Sequence, residues 1–203
     1  MSQVFVSGHK SPDTDSIAAA LSYSYLKRRL GMDAVAVRAG EINKESRFAL
    51  DYFNLEEPML VTSVARKNPE DEKQKVILVD HNESKQTIDG MDDAEVLEII
   101  DHHRFGDFES ENPIFILVRP VGCVNTVIYG LYKANHIRLS REIAGIMLSA
   151  IISDTVLFRS PTTTEEDKET AKELAEIAGV DYASYGMEML KAGEDNSDYP
   201  AEK

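Results

Sequence analysis

Cysteine, tryptophan and long hydrophobic runs are scarce or missing in this chain of 203 residues, which contains one cysteine and no tryptophan. The single cysteine, Cys123, excludes an internal disulfide and a cluster of thiolate metal ligands, and it is typical of a protein from a reducing compartment. No segment approaches the ~20 apolar residues of a membrane-spanning helix, and the N-terminus does not resemble a signal peptide. The sequence therefore predicts a cytoplasmic protein with no membrane partner.

Basic residues are also few, since 22 Lys and Arg stand against 36 Asp and Glu and give a net charge of -14 at pH 7. Nonspecific binding of nucleic acid requires a basic surface that faces the phosphate backbone. The acidity therefore argues against a nucleic-acid partner. An anionic substrate remains compatible with it, because bound metal ions can reverse the local charge.

Short apolar runs alternate with segments of helical periodicity along the chain. Strands are expected at residues 4–6, 34–37, 76–79, 96–100 and 114–118. Helices are expected at residues 16–30, 45–53, 124–135, 141–153 and 164–178. This alternation predicts an α/β fold with a mostly parallel sheet and helices on both faces.

Acidic residues and histidines are concentrated where predicted strands and apolar segments end. The members of these groups, in chain order, are His9, Asp13, Asp15, Asp80, Asp101, His102, His103 and Asp154. The carboxyl ends of parallel strands meet at one edge of a sheet, and ligands bind there. We therefore expect these side chains to form one site.

Each group has a purely structural explanation when it is taken alone. Asp15 could cap the first helix, and Asp80 could form a turn. Together, however, buried carboxylates at one sheet edge would repel and raise one another's pKa values unless a cation held them together. Carboxylates and imidazoles without thiolates suit Mn²⁺, Mg²⁺, Co²⁺ or Fe²⁺. Four carboxylates would balance two divalent ions, an arrangement used for phosphoryl hydrolysis.

Four motifs follow one another in the chain: Gly-His-x-x-Pro-Asp-Thr-Asp-Ser from Gly8, Val-Asp-His-Asn from Val79, Asp-His-His-Arg from Asp101, and Ser-Ala-Ile-Ile-Ser-Asp from Ser149. With these motifs the sequence resembles the family II, manganese-dependent inorganic pyrophosphatases of the DHH phosphoesterase superfamily. The likeness runs from about residue 4 to about residue 191. Asp-His-His alone is a modest signal, whereas the four motifs together are highly specific.

The resemblance implies a ligand set and a reaction. His9, Asp13 and Asp80 would bind one metal ion. The ligands of the second ion would be Asp15, Asp80, His102 and Asp154, with Asp80 bridging the two. His103 would contact the phosphate, and Asp101 would support the site. The two ions, Mn²⁺ or Co²⁺, would activate a hydroxide that hydrolyses pyrophosphate to two phosphates, and an additional Mg²⁺ would enter with the substrate.

The resemblance also implies a homodimer and a second domain whose Lys and Arg side chains grip the substrate. We expect a metal-binding DHH domain at residues 1–191 and a linker or tail at 192–203, with the substrate-binding domain absent from this chain. Two alternatives stay open. One is another DHH phosphoesterase, acting on oligonucleotides, cyclic dinucleotides or polyphosphate, and the other is a noncatalytic metal-binding dimerisation module. The activity of this chain on its own is left open as well.

Overall fold

The computed structural model describes residues 3–194. Its strands are Val4–Ser7 (β1), Ala34–Arg38 (β2), Met59–Leu60 (β3), Lys75–Val79 (β4), Glu95–Asp101 (β5) and Phe115–Val118 (β6). Its α-helices are Thr14–Arg29 (α1), Lys44–Tyr52 (α2), Val124–Ala134 (α3), Arg141–Thr155 (α4), Glu165–Ala178 (α5) and Tyr182–Glu194 (α6). All strand pairs are parallel, in the order β3-β2-β1-β4-β5-β6. The prediction of an α/β fold with a parallel sheet is thus confirmed.

From β1 the chain adds strands in one direction as far as β3, and from β4 it adds them in the opposite direction. This change of direction decides which face of the sheet each connection covers. The larger core cluster combines Val6 and Ile100 with buried residues of α1 to α6. The opposite face is covered by loops and by two one-turn 3₁₀ helices, Ser84–Gln86 and Met91–Asp93. Right-handed crossovers explain this division, because chains that move in opposite directions along the sheet cross on opposite faces. Among the described residues, the α-helices therefore pack on one face only. This differs from the expectation of helices on both faces, because the connections on the other face are loops and one-turn 3₁₀ helices.

The predicted strands and helices occur within two residues of their expected bounds. Local signals account for this agreement. Thr164 and Asp167 form a reciprocal capping box at the start of α5, and Gly179 ends the helix with a φ of 68°. Asp13 caps α1 by accepting a hydrogen bond from the Ser16 backbone N–H at 2.9 Å.

Sequence reasoning missed α6, which packs Tyr185 and Met189 into the larger core cluster. The expected domain boundary at residue 191 falls within this helix, and the remainder of the expected tail, residues 195–203, lies outside the described residues. None of the helices among residues 3–194 has the length and apolar character needed to cross a bilayer.

Candidate metal centre

All eight residues predicted for the site belong to one connected set of imidazole–carboxylate contacts at the carboxyl edge of the sheet. β1, β4 and β5 are neighbours and end close to one another, so the loops that follow them meet. The first helix and the end of α4 complete the site. Six of the eight residues form two groups that share Asp80, and His103 connects the remaining residue, Asp101, to Asp80.

The first group surrounds the Nε2 atom of His9. This atom lies 3.5 Å from Asp13 Oδ2 and 3.4 Å from Asp80 Oδ2. Burial lowers the pKa of His9, but hydrogen bonds to Asp13 and Asp80 outweigh it and raise the pKa to about 10. In the absence of a metal ion, the two carboxylates would therefore hold a proton on the ring that a metal would displace.

The second group surrounds the Nε2 atom of His102, which lies 3.3 Å from Asp80 Oδ1, 3.6 Å from Asp15 Oδ2 and 3.8 Å from Asp154 Oδ2. The other ring nitrogen, Nδ1, is 2.9 Å from the carbonyl oxygen of Val121. Because a carbonyl can only accept, Nδ1 carries a hydrogen, and Nε2 is the atom that faces the carboxylates. This is the arrangement of a histidine that binds metal. Burial lowers the pKa of His102, but Asp80 and Asp15 outweigh it and raise the pKa to about 10, so a metal ion would displace a proton from Nε2.

Asp80 is the residue that joins the two groups, and only 1% of its surface is exposed. Its Oδ2 accepts a hydrogen bond from Ser16 Oγ at 2.8 Å, whereas its Oδ1 is buried without a hydrogen-bond partner. A buried carboxylate oxygen without a partner is costly. Burial raises the pKa of Asp80, but the facing imidazoles of His102 and His9 lower it more strongly, so the carboxylate stays ionised.

Asp15 is held by the N-terminus of α3. Its carboxylate accepts hydrogen bonds from the backbone N–H of Val124 at 2.8 Å and from Asn125 Nδ2 at 2.6 Å, and the thiol of Cys123 donates to it at 3.0 Å. Burial and the neighbouring Asp80 nevertheless raise the pKa of Asp15 to about 6. Sequence reasoning missed Cys123 and Asn125 as supports, because neither belongs to a strand end and only the tertiary fold brings them to Asp15.

Asp154 lies in the last turn of α4, and the chain continues from it in an unusual conformation. Burial and the adjacent Asp15 raise the pKa of Asp154 well above its ordinary value. The next residues, Val156, Leu157 and Phe158, have φ values of 48°, 52° and 67°. Left-handed conformations cost roughly 1–2 kcal/mol per L-residue. The hydroxyl of Thr155 supports the turn by accepting a hydrogen bond from the Phe158 N–H at 3.2 Å.

His103 differs from the other histidines of the site because its side chain is 53% exposed. Its Nδ1 lies 2.9 Å from Asp101 Oδ1, and the buried Asp101 also accepts hydrogen bonds from the His102 N–H at 2.7 Å and from Asn82 Nδ2 at 2.5 Å. The contact with Asp101 raises the pKa of His103 despite partial burial. Asp101 thereby fixes the imidazole of His103 at the exposed border of the centre.

The chemistry and the arrangement of these side chains fit divalent metal ions. The carboxylates of Asp13, Asp15, Asp80 and Asp154 are brought together without a lysine or arginine partner among the described ion pairs. His9, Asp13 and Asp80 each offer a ligand atom within 4.8 Å of the others. Oxygen and imidazole donors of this kind suit manganese and related ions. Two divalent ions would neutralise the four carboxylates and would supply the partner that Asp80 Oδ1 lacks.

Gly8 allows a close approach that the centre needs. A Cβ atom at this position would lie 2.7 Å from the Cβ and the Oγ of Ser16, the residue that donates to Asp80. We expect Gly8→Ala to destabilise the fold by about 1–3 kcal/mol and to weaken metal binding, since Ser16 must move. Urea unfolding and Mn²⁺ calorimetry measure the two effects.

Gly130 provides the control for this prediction, because a Cβ atom there meets nothing within 4 Å. Gly130 lies inside α3, so Gly130→Ala should raise the free energy of unfolding by about 0.5–1 kcal/mol. Equal stability and equal Mn²⁺ affinity of Gly8→Ala and the unchanged chain would contradict the proposed role of the close contact.

Comparison with known proteins agrees with the motifs. Residues 3–151 match the family described as "DHH family, N-terminal domain". The chain is similar to proteins named probable manganese-dependent inorganic pyrophosphatase from Exiguobacterium sp. (54% identical) and Bacillus licheniformis (55% identical), over 97% of this chain and 62% of each relative. The chain thus spans less than two thirds of the length of these relatives.

Two solved structures are also similar. The putative family II inorganic pyrophosphatase of Methanococcus jannaschii superposes with a TM-score of 0.84 and 44% identity, over 94% of this chain and 61% of that protein. An exopolyphosphatase-related protein from Bacteroides fragilis superposes with a TM-score of 0.69 at 18% identity. The second likeness establishes a shared fold and nothing further.

Proposed function

Because this chain belongs to the DHH family, we propose that it supplies the metal-binding half of a manganese-dependent enzyme that hydrolyses inorganic pyrophosphate to two phosphates. The observation that carries this proposal is the shared position of Asp80 between the groups around His9 and His102. Proteins named manganese-dependent inorganic pyrophosphatase are 54% and 55% identical to the chain over 97% of its length, which supports the choice of substrate.

Six residues of the centre would hold two ions. His9, Asp13 and Asp80 would bind one, and the second would be bound by a set of four, namely Asp15, Asp80, His102 and Asp154. When bound, such a pair of ions lowers the pKa of water and neutralises phosphate oxygens. The same donors suit Co²⁺. We further propose that Mg²⁺ enters with pyrophosphate, because this ion prefers oxygen ligands and phosphate groups.

The protein's own groups have distinct tasks in this proposal. His102 offers Nε2 to the centre, because its Nδ1–H is engaged by the carbonyl of Val121. His103, at the exposed border, would donate a hydrogen bond to a phosphate oxygen. Asp101 keeps this imidazole oriented and favours its protonated form, which is the form that attracts an anion.

We propose residues 1–191 as the metal-binding domain of a larger enzyme. Pyrophosphate carries up to four negative charges, and phosphoryl transfer depends on positioned cations. In this proposal the cationic groups that grip the substrate come from the part of the relatives that this chain does not span.

Phosphate release from pyrophosphate with Mn²⁺ and Mg²⁺ tests the proposed function. The chain should be compared with a version joined to the remaining sequence of the Bacillus licheniformis relative, and we expect the joined version to turn over faster. Tripolyphosphate and a short oligonucleotide serve as competing substrates. Preferred cleavage of either one by the joined version would replace the pyrophosphatase proposal with that of another DHH phosphoesterase.

We also propose a homodimer formed through β6. Within residues 3–194 this strand pairs only with β5, and its residues Phe115 and Ile116 are 51% and 41% exposed. An exposed apolar edge strand favours pairing with another chain, and pairing with its own copy would close the edge around a two-fold axis.

Sedimentation at micromolar concentration measures this association. Ile116→Lys should convert the dimer into a monomer near 22.7 kDa, because a charge would be buried at the proposed contact. Met59→Lys, at the opposite edge of the sheet, is the matched control and should leave the dimer intact. An unchanged chain that sediments as a monomer would contradict the proposal.

A further inference from the structure

One carboxylate outside the proposed ligand set connects two of the elements that carry ligands. Glu45 Oε1 accepts a hydrogen bond from Thr14 Oγ1 at 2.6 Å and another from Ser153 Oγ at 2.5 Å. The two donors are far apart in the sequence, at the start of α1 and near the end of α4. A single oxygen atom thus ties these two helix ends together.

Both donors are direct chain neighbours of proposed ligands. Thr14 stands between Asp13 and Asp15, and Ser153 immediately precedes Asp154. A shift of the Thr14 hydroxyl would therefore move the backbone that carries ligands of both proposed ions, and a shift of the Ser153 hydroxyl would move the backbone that carries a ligand of the second ion. Fixing Thr14 to Ser153 fixes the separation of these three carboxylates.

Glu45 is itself held in place at the start of α2. Asn43 caps this helix by accepting a hydrogen bond from the Ser46 N–H at 2.7 Å. Ser46 Oγ lies 3.2 Å from Thr14 Oγ1, so a second contact joins α2 to α1 beside the first. The acceptor oxygen thus belongs to a rigid element and not to a loop.

The choice of a carboxylate at this position is informative. The four carboxylates of the metal centre are nearby, so the negative charge of Glu45 adds to the electrostatic repulsion among them. A carboxylate has no hydrogen to donate, so both hydroxyl hydrogens must point towards Glu45. Hydrogen bonds to an ionised acceptor are roughly twice as strong as neutral ones. The contact therefore resists the separation of α1 from α4 that the repulsion among Asp13, Asp15 and Asp154 favours.

We infer that Glu45 is a positioning residue for the metal centre, which it stabilises by clamping Thr14 to Ser153. This inference rests on the proposed function only in that the centre binds divalent ions. Residues that support ligands without touching the metal typically contribute 10–100-fold to metal affinity. The larger share of the effect should fall on the ion assigned to Asp15 and Asp154, since both hydrogen bonds act on that pair.

Mn²⁺ calorimetry on three variants tests the inference. Glu45→Ala removes the acceptor and should weaken Mn²⁺ binding by about 10–100-fold. Glu45→Gln keeps an acceptor oxygen while it removes the charge, and it should recover most of the affinity. Glu173→Ala is the matched control, because Glu173 likewise accepts a hydroxyl hydrogen bond, from Tyr129 at 2.8 Å, on the surface of α5. This control should bind Mn²⁺ normally.

A folded Glu45→Ala variant with unchanged Mn²⁺ affinity would overturn the inference. Equal losses in Glu45→Ala and Glu173→Ala would also overturn it, because they would indicate general destabilisation. Equal losses in Glu45→Gln and Glu45→Ala would likewise overturn it, because the effect would then come from the charge of Glu45 and not from the accepted hydrogen bonds. If Glu45→Ala does not fold, Ser153→Ala is used in its place and should show the loss mainly at one of the two ions. An unchanged chain that binds no Mn²⁺ would refute the metal centre itself, and that result is distinct from all of these.

Discussion

Replacing Asp80 with asparagine is expected to abolish tight Mn²⁺ binding at both proposed sites, with a loss of at least about 100-fold in affinity at each. Asp80 faces His9 through one carboxylate oxygen and His102 through the other. Its φ of 62° is tolerated by asparagine, and asparagine can still accept the hydrogen bond from Ser16. The variant therefore removes the charge and one acceptor while it preserves the local fold. Calorimetry with Mn²⁺ measures stoichiometry and affinity.

Two further variants make this result specific. His102→Ala should weaken mainly one of the two ions, because only one proposed set contains His102. Asp89→Asn serves as the surface control, since the Asp89 carboxylate pairs with Lys10 and is 69% exposed. Retention of two tightly bound Mn²⁺ ions by Asp80→Asn would refute the bridging assignment.

Mn²⁺ is expected to raise the thermal stability of the chain, and a chelator is expected to lower it. The ion binds the folded state only, because the ligands are assembled by the fold. At a hundredfold excess over the dissociation constant the gain is about 2.7 kcal/mol. For a domain of this size, each kcal/mol shifts the melting temperature by about 2–4 °C, so an increase of about 5–10 °C should be seen.

Melting curves recorded with Mn²⁺ and with a chelator test this expectation. The curves of Asp80→Asn should nearly coincide. This variant without metal should be less stable than the unchanged chain without metal, because the ionised Asp80 is stabilised by the facing imidazoles of His102 and His9. Coincident curves for the unchanged chain would mean that the acidic cluster does not bind the ion.

Much of the fold could be predicted from the sequence because the signals are local. The strand at β4 is a continuous apolar run, and the structure buries Ile77 against one core cluster and Leu78 against the other. The helix α6 lacks such a signal. It forms where Gly186 permits close approach to Ile152 and Leu157, and contacts of this kind depend on tertiary packing. Loops cover the second face of the sheet because of the order of the strands, and hydrophobic periodicity in the sequence does not predict that order.

Some residues of the candidate site could likewise be predicted from the sequence, whereas others could not. Asp80 and His102 directly follow predicted strands, so both could be placed at one sheet edge from the sequence. The groups that hold other ligands and their chain neighbours in place could not be predicted in this way. Asn125 and Glu45 lie in helices that belong to other parts of the chain, and only the packing of α3 against α1 and of α2 against α4 brings them to the site.

The position of β1 inside the sheet, between β2 and β4, also affects the order in which contacts form during synthesis. This strand leaves the ribosome before the other five described strands, yet it pairs on one side with β2 and on the other with β4, and Asp154 comes later still. Contacts between residues distant along the chain form late, because closing the intervening loop costs entropy. A nascent chain that ends before α4 therefore presents the acidic residues of α1 without the partners that complete the centre. In the proposed assignment only the second ion requires Asp154, so capture of that second manganese ion would report that the chain has been synthesised and folded through α4.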